Sequence, residues 1–102
     1  MRIGYLHLGS PKGGLYRYSQ LLAAEARSRP ELTVIEADLP AVLGGPSDLA
    51  ALRRAGSELA DAEVVHLQYN TRIWGPPGRQ WRAVAALLSE CSAPLVATLH
   101  DI

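Results

Sequence analysis

The sequence predicts an α/β fold: a doubly wound parallel sheet with elements in the order βαβαβαβ. Three observations lead there. Short, nearly continuous apolar runs of strand length recur along the chain, segments with helical apolar spacing separate them, and Gly, Pro and Ser clusters mark the joins. Strands that alternate with helices of this length require a parallel sheet with right-handed crossovers.

Arg2 to Leu8 is the first expected strand, ended by Gly9-Ser10-Pro11. Gly13-Gly14 then opens a helix running to Arg27, whose inner face is expected to carry Leu15, Tyr18, Leu22 and Ala26, with Pro30 as its outer limit. Thr33 to Ala37 is the second strand. A Pro/Gly-rich connection from Pro40 to Pro46 leads through Ser47, a capping candidate, into a helix with Leu49, Leu52 and Leu59 at helical spacing. Val64 to Leu67 is the third strand, and Gln68 to Gly78 reads as a loop. Trp81, Val84, Leu88 and Cys91 mark the face of a third helix, with Trp81 expected in the core, and Leu95 to Leu99 is the fourth strand.

A chain that winds on both faces of such a sheet reverses direction beside its first strand. The expected order is therefore 2-1-3-4, a Rossmann-like arrangement with its switch point between strands one and three. Ligands of open α/β sheets bind at the carboxyl ends of the strands at that point, here the segments Gly9–Gly14 and Gln68–Gly78. The chain stops at His100-Asp101-Ile102, directly after a strand, which reads as an incomplete domain.

At 102 residues the chain accommodates one domain, and 48% hydrophobic with 20% charged residues matches a globular protein. Ten basic residues balance ten acidic ones, which argues against attraction of the whole surface to nucleic acid or anionic lipid and leaves room for a local patch. Arg53-Arg54 is read as a solvated helix face or, alternatively, as a membrane or phosphate patch. Cys91 is the only cysteine, so no intrachain disulfide forms, and its apolar setting favours a buried, inert thiol. With neither a signal-peptide pattern at Met1 nor an apolar run of membrane-spanning length, the expected compartment is the cytoplasm.

The turn Gly9-Ser-Pro-Lys-Gly-Gly14 before a helix suits an anion cradle, since glycines let backbone N–H groups approach a phosphate and the helix N-terminus adds partial positive charge. It fits neither the Walker A spacing nor Gly-x-Gly-x-x-Gly. Residues 1 to 24 contain Arg2, Lys12 and Arg17 but no Asp or Glu, and Arg17 in the first turn opposes the helix dipole. That placement suggests service to a bound anion or a buried carboxylate. His7, His66 and His100 stand at carboxyl ends of the expected strands; satisfied core histidines, a substrate contact and a metal site are the alternatives, and no metal is assigned. His100, followed by Asp101, is the best substrate-contacting candidate. Trp74, in a Gly/Pro-rich loop, is either loop packing or a platform for an acceptor sugar, with Tyr69 and Asn70 beside it as hydrogen-bonding groups.

Gly13-Gly14-x-x-Arg17-Tyr18 with Leu21-Leu22-Ala23, then Val64-Val65-His66-Leu67-Gln68-Tyr69, then Pro94-Leu95-Val96-Ala97-Thr98-Leu99-His100-Asp101, together resemble family 4 retaining glycosyltransferases of the GT-B fold. The likeness spans essentially the whole chain. It implies an N-terminal, acceptor-side domain over residues 1–102 of a two-domain enzyme that moves a sugar from a nucleotide-sugar donor to an acceptor hydroxyl, with the donor-binding domain missing and the fragment alone inactive. It implies His100 and Asp101 as catalytic candidates, Gly13, Gly14, Arg17 and Lys12 on the donor phosphates, and Gln68, Tyr69, Asn70 and Trp74 on the acceptor. No cofactor is implied, because the nucleotide sugar is a substrate. The implied partners are that donor, a hydroxyl-bearing acceptor and the missing C-terminal domain, with peripheral contact at the inner face of a membrane and self-association of the fragment as further expectations and nucleic acid excluded. The family's Glu-x7-Glu motif is absent here. The rival readings are a noncatalytic phosphosugar- or nucleotide-binding module, and a dinucleotide module using Glu36 or Asp38 on a ribose.

Overall fold

The computed structural model describes residues 1–9, 12–39, 46–69, 74 and 77–99; the side chains of 46–48 and 77–79 are not among what is described. Ser47 as a cap, Asn70, His100 and Asp101 therefore lie outside the described residues. Strands β1 (Arg2–Leu8), β2 (Thr33–Leu39), β3 (Val64–Tyr69) and β4 (Leu95–Leu99) form one parallel sheet in the order β2-β1-β3-β4, joined through α1 (Gly14–Arg27), α2 (Pro46–Glu58) and α3 (Pro77–Glu90). The fold class and strand order are those expected from the pattern of apolar runs.

Alternation along β1 divides the core between two faces. Tyr5 packs with Ala23 and Ala26 of α1, flanked by Ile3, Leu22, Leu32 and Val34. Leu6 and Leu8 face the opposite way, into a larger cluster with Leu52 and Leu59 on the α2 side and Ala83, Ala86 and Leu87 of α3. Full burial of a leucine there contributes about 1.5–3 kcal/mol before entropic costs.

Two strands are longer than expected. β2 continues through Asp38 and Leu39, paired with His7 and Leu8, and β3 continues through Gln68 and Tyr69, paired with Thr98 and Leu99. Parallel neighbours supply ladder partners there, so the backbone stays extended although the residues turn polar. His66 consequently sits inside β3 and not at its end.

The inward faces of α1 and α3 are rotated from those expected and keep only part of them: Leu22 and Ala26 of α1 and Val84 of α3 pack on the core as expected. In α1 the buried residues are Tyr16, Ser19, Ala23 and Ala26, whereas Tyr18 is 43% exposed. In α3 they are Ala83, Ala86 and Leu87, whereas Trp81, expected in the core, is 72% exposed. The physical reason in α3 is close helix approach: a Cβ added at Gly56 of α2 would lie 2.4 Å from the Leu87 carbonyl oxygen, so the two backbones touch and small residues occupy the seam. Cys91 is buried just beyond α3, its thiol directed at the Leu59 carbonyl oxygen at 3.7 Å, as an inert core thiol would be.

Candidate functional site

Because the strands are all parallel, the turn after β1 and the carboxyl ends of β3 and β4 lie on one sheet edge. Gly9 adopts φ 94°, a left-handed conformation that disfavours a side chain, while its N–H donates to the Leu39 carbonyl oxygen at 3.2 Å and so extends the β1–β2 ladder by one bond. Gly13 caps α1 with extended backbone and no side-chain bond, and its carbonyl oxygen accepts from the Arg17 N–H at 3.1 Å. No acidic residue occupies the first turn. The dipole end of α1 thus carries Gly14, and Arg17 one turn on, both exposed, with exposed Lys12 just before the cap.

Gly14 is informative because packing does not require it. Its conformation is helical, and a Cβ built on it meets nothing within 4 Å. Glycine in a helix interior is about 1 kcal/mol less favourable than alanine, and at this first helical position nothing among the described residues calls for the missing side chain. Among the described residues no carboxylate pairs with Arg17. Gly14, Arg17, Tyr18, Gln20, Leu21 and Ala24 line an open depression of about 740 Å³ along the outward side of α1. Of the residues expected on donor phosphates, Gly14 and Arg17 line this depression, and Lys12 and the cap residue Gly13 directly precede them in the chain.

The residues expected on the acceptor behave differently. Trp74 is fully buried, its ring stacked on Tyr69 with centroids 5.6 Å apart, and its indole N–H donates to the Gln68 carbonyl oxygen at 3.1 Å. Of the two readings of Trp74, this geometry favours packing: the ring belongs to the larger core cluster. Gln68 is buried as well, and the Tyr69 hydroxyl donates to Gln80 Oε1.

Beneath α1 lies a chain of polar groups that the sequence pattern did not reveal. His7, only 2% exposed, bonds Ser19 Oγ through Nδ1 and Glu36 Oε1 through Nε2, both at 2.7 Å, and Glu36 in turn accepts from Arg27. Burial raises the Glu36 pKa, but the hydrogen bonds from Arg27 and His7 outweigh it, and the carboxyl is held below its ordinary range. Beside it the Tyr16 hydroxyl donates to Asp38 Oδ1 at 2.9 Å; burial, then the Asp38 bond, push the phenol pKa up. Ser, His and a carboxylate in series suggest nucleophilic catalysis, yet Ser19 is completely buried and offers no approach to a substrate. The chain is structural, and His7 is a satisfied core histidine. It also occupies Glu36 internally, which removes that residue from the dinucleotide reading.

His66 is half-buried on the same side of the sheet. Its Nε2 lies 3.0 Å from Thr98 Oγ1, Tyr5 meets its ring edge-on, and burial lowers its pKa. Among the described residues no three metal-ligating side chains cluster. No helix among them is long and apolar enough to cross a membrane. No family model, curated protein or solved structure matches the chain significantly.

Proposed function

We propose that this chain is the N-terminal, acceptor-side domain of a glycosyltransferase that uses a nucleotide-sugar donor, and that the turn into α1 meets the donor diphosphate. The observation that carries this reading is the pairing of Gly14, a helical glycine whose missing Cβ faces open space, with Arg17, a first-turn cation that no described carboxylate neutralises. A bound diphosphate accounts for both. Backbone N–H groups of Gly13 and Gly14 approach its oxygens, Arg17 supplies countercharge, and the α1 dipole adds to it. As the sugar leaves, negative charge grows on the diphosphate, and groups fixed in advance stabilise that charge without reorganising. His100 and Asp101, which follow β4 in the sequence, are assigned to the transferred sugar or acceptor by resemblance alone.

The test is an amide NMR titration of the chain with UDP-glucose, GDP-mannose and inorganic pyrophosphate. Millimolar binding centred on the Gly13, Gly14 and Arg17 amides, lost in Arg17→Ala, is the expected result. Unmoved amides at that turn overturn the assignment.

A further inference from the structure

The outward crest of α3 is apolar. With Ala83, Ala86 and Leu87 directed into the core, the residues on the opposite side are Trp81, Ala85 and Leu88, spaced i, i+4 and i+7 along one line. A surface helix ordinarily places polar side chains there. Here an indole stands 72% exposed, followed by exposed Ala85 and Leu88. Two cations flank this crest: Arg82 on α3 and Arg53 on α2 line, with Leu49, Trp81, Ala85 and Ser89, a depression of about 260 Å³ between the helices. No carboxylate is among its described lining residues, and neither arginine forms an ion pair among the described residues.

We propose that this face, centred on Trp81 and flanked by Arg53 and Arg82, docks on an anionic lipid surface. Charge complementarity and shape select that occupant. The guanidinium groups call for an anionic partner, and the depression between them suits a phosphate headgroup. An amphipathic ring standing on a convex crest with arginines beside it suits the boundary between headgroups and acyl chains, where aromatic side chains partition and arginine stems reach up to phosphate. A second copy of the chain is a poorer partner, because a two-fold contact through this patch would set Arg53 and Arg82 against their own images. An apolar peptide helix would need an apolar groove, and the depression here is lined by two guanidinium groups. Since the chain as a whole is neutral, the attraction is confined to this patch and orients the molecule on the surface.

The experiment uses the full chain with vesicles of equal parts phosphatidylglycerol and phosphatidylcholine, and with phosphatidylcholine alone, read by cosedimentation and tryptophan emission. Binding to the anionic vesicles with a blue shift is expected, with little binding to the neutral ones. Arg53→Gln with Arg82→Gln is expected to weaken partitioning by roughly 30-fold, at about tenfold or less per arginine. Trp81→Ala should remove the blue shift and weaken binding, while the far-UV spectrum and Tm stay as in the parent, since the ring is exposed. Absent binding to anionic vesicles, or binding that the variants leave unchanged, overturns the proposal. So does a dimer in sedimentation equilibrium that Trp81→Ala dissolves, or retention of single-stranded RNA without vesicle binding; these assign the face to a second copy or to nucleic acid.

Discussion

His7 Nε2 and Glu36 Oε1 meet at 2.7 Å, joining β1 to β2 under the helix that carries the glycine turn. His7 Nδ1 continues the link to Ser19, so one imidazole fastens α1 to two strands.

Acid sensitivity follows from that link. The folded Glu36 pKa lies below its unfolded value, so its contribution to stability is complete above the ordinary glutamate range and is lost as pH falls through the folded pKa. Urea unfolding followed downward from neutral pH should show stability declining from about pH 4.5, the ordinary value, with a shallower decline in Glu36→Gln. Ser19→Ala, which leaves buried Nδ1 without its partner, should cost about 1–3 kcal/mol at neutral pH. Equal slopes in parent and Glu36→Gln would count against the link.

His66 should titrate below 6.5, because burial disfavours its charged form. By linkage its neutral form favours the fold: the contribution is present above the unfolded pKa and declines as pH falls through the folded one. Histidine ring NMR against pH measures the midpoint directly, and a value at or above 6.5 would contradict the half-buried environment.

Alanine at two glycines should act in opposite directions. Gly14→Ala adds a methyl in open space within a helix and should raise stability by about 0.4–1 kcal/mol, while weakening the diphosphate contacts proposed for that turn. Gly56→Ala drives a methyl against the Leu87 carbonyl oxygen and should cost about 1–3 kcal/mol or more. Thermal melts read the first effect of each, and the pyrophosphate titration reads the second effect of Gly14→Ala. A Gly14→Ala protein that keeps full affinity would remove the best support for the cradle.

The two tryptophans should separate cleanly. Trp74→Ala empties the end of the larger core cluster and should cost about 3–5 kcal/mol, whereas Trp81→Ala should change stability by less than about 0.5 kcal/mol. Chemical denaturation of both variants decides it; comparable losses would mean that Trp81 is packed after all.

The sequence by itself determined the element order, the parallel sheet and the order 2-1-3-4. Strands covered on both faces must be apolar almost throughout, and right-handed crossovers leave few ways to wind them. It also placed Gly13, Gly14 and Arg17 at the start of a helix, since local turn chemistry suffices for that. The inward face of α2, with Leu52 and the adjoining Leu59, was legible as well, whereas tertiary structure decided the inward faces of α1 and α3. Helical spacing specifies a period but not a phase, and in α3 the large residues Trp81 and Leu88 follow the same period as Ala83, Ala86 and Leu87. The contact of α3 with Gly56 selects the small set, because backbones that touch leave no room for an indole. The His7 chain was equally out of reach, since its partners Ser19 and Glu36 stand 12 and 29 residues away and meet only when α1 and β2 dock on β1.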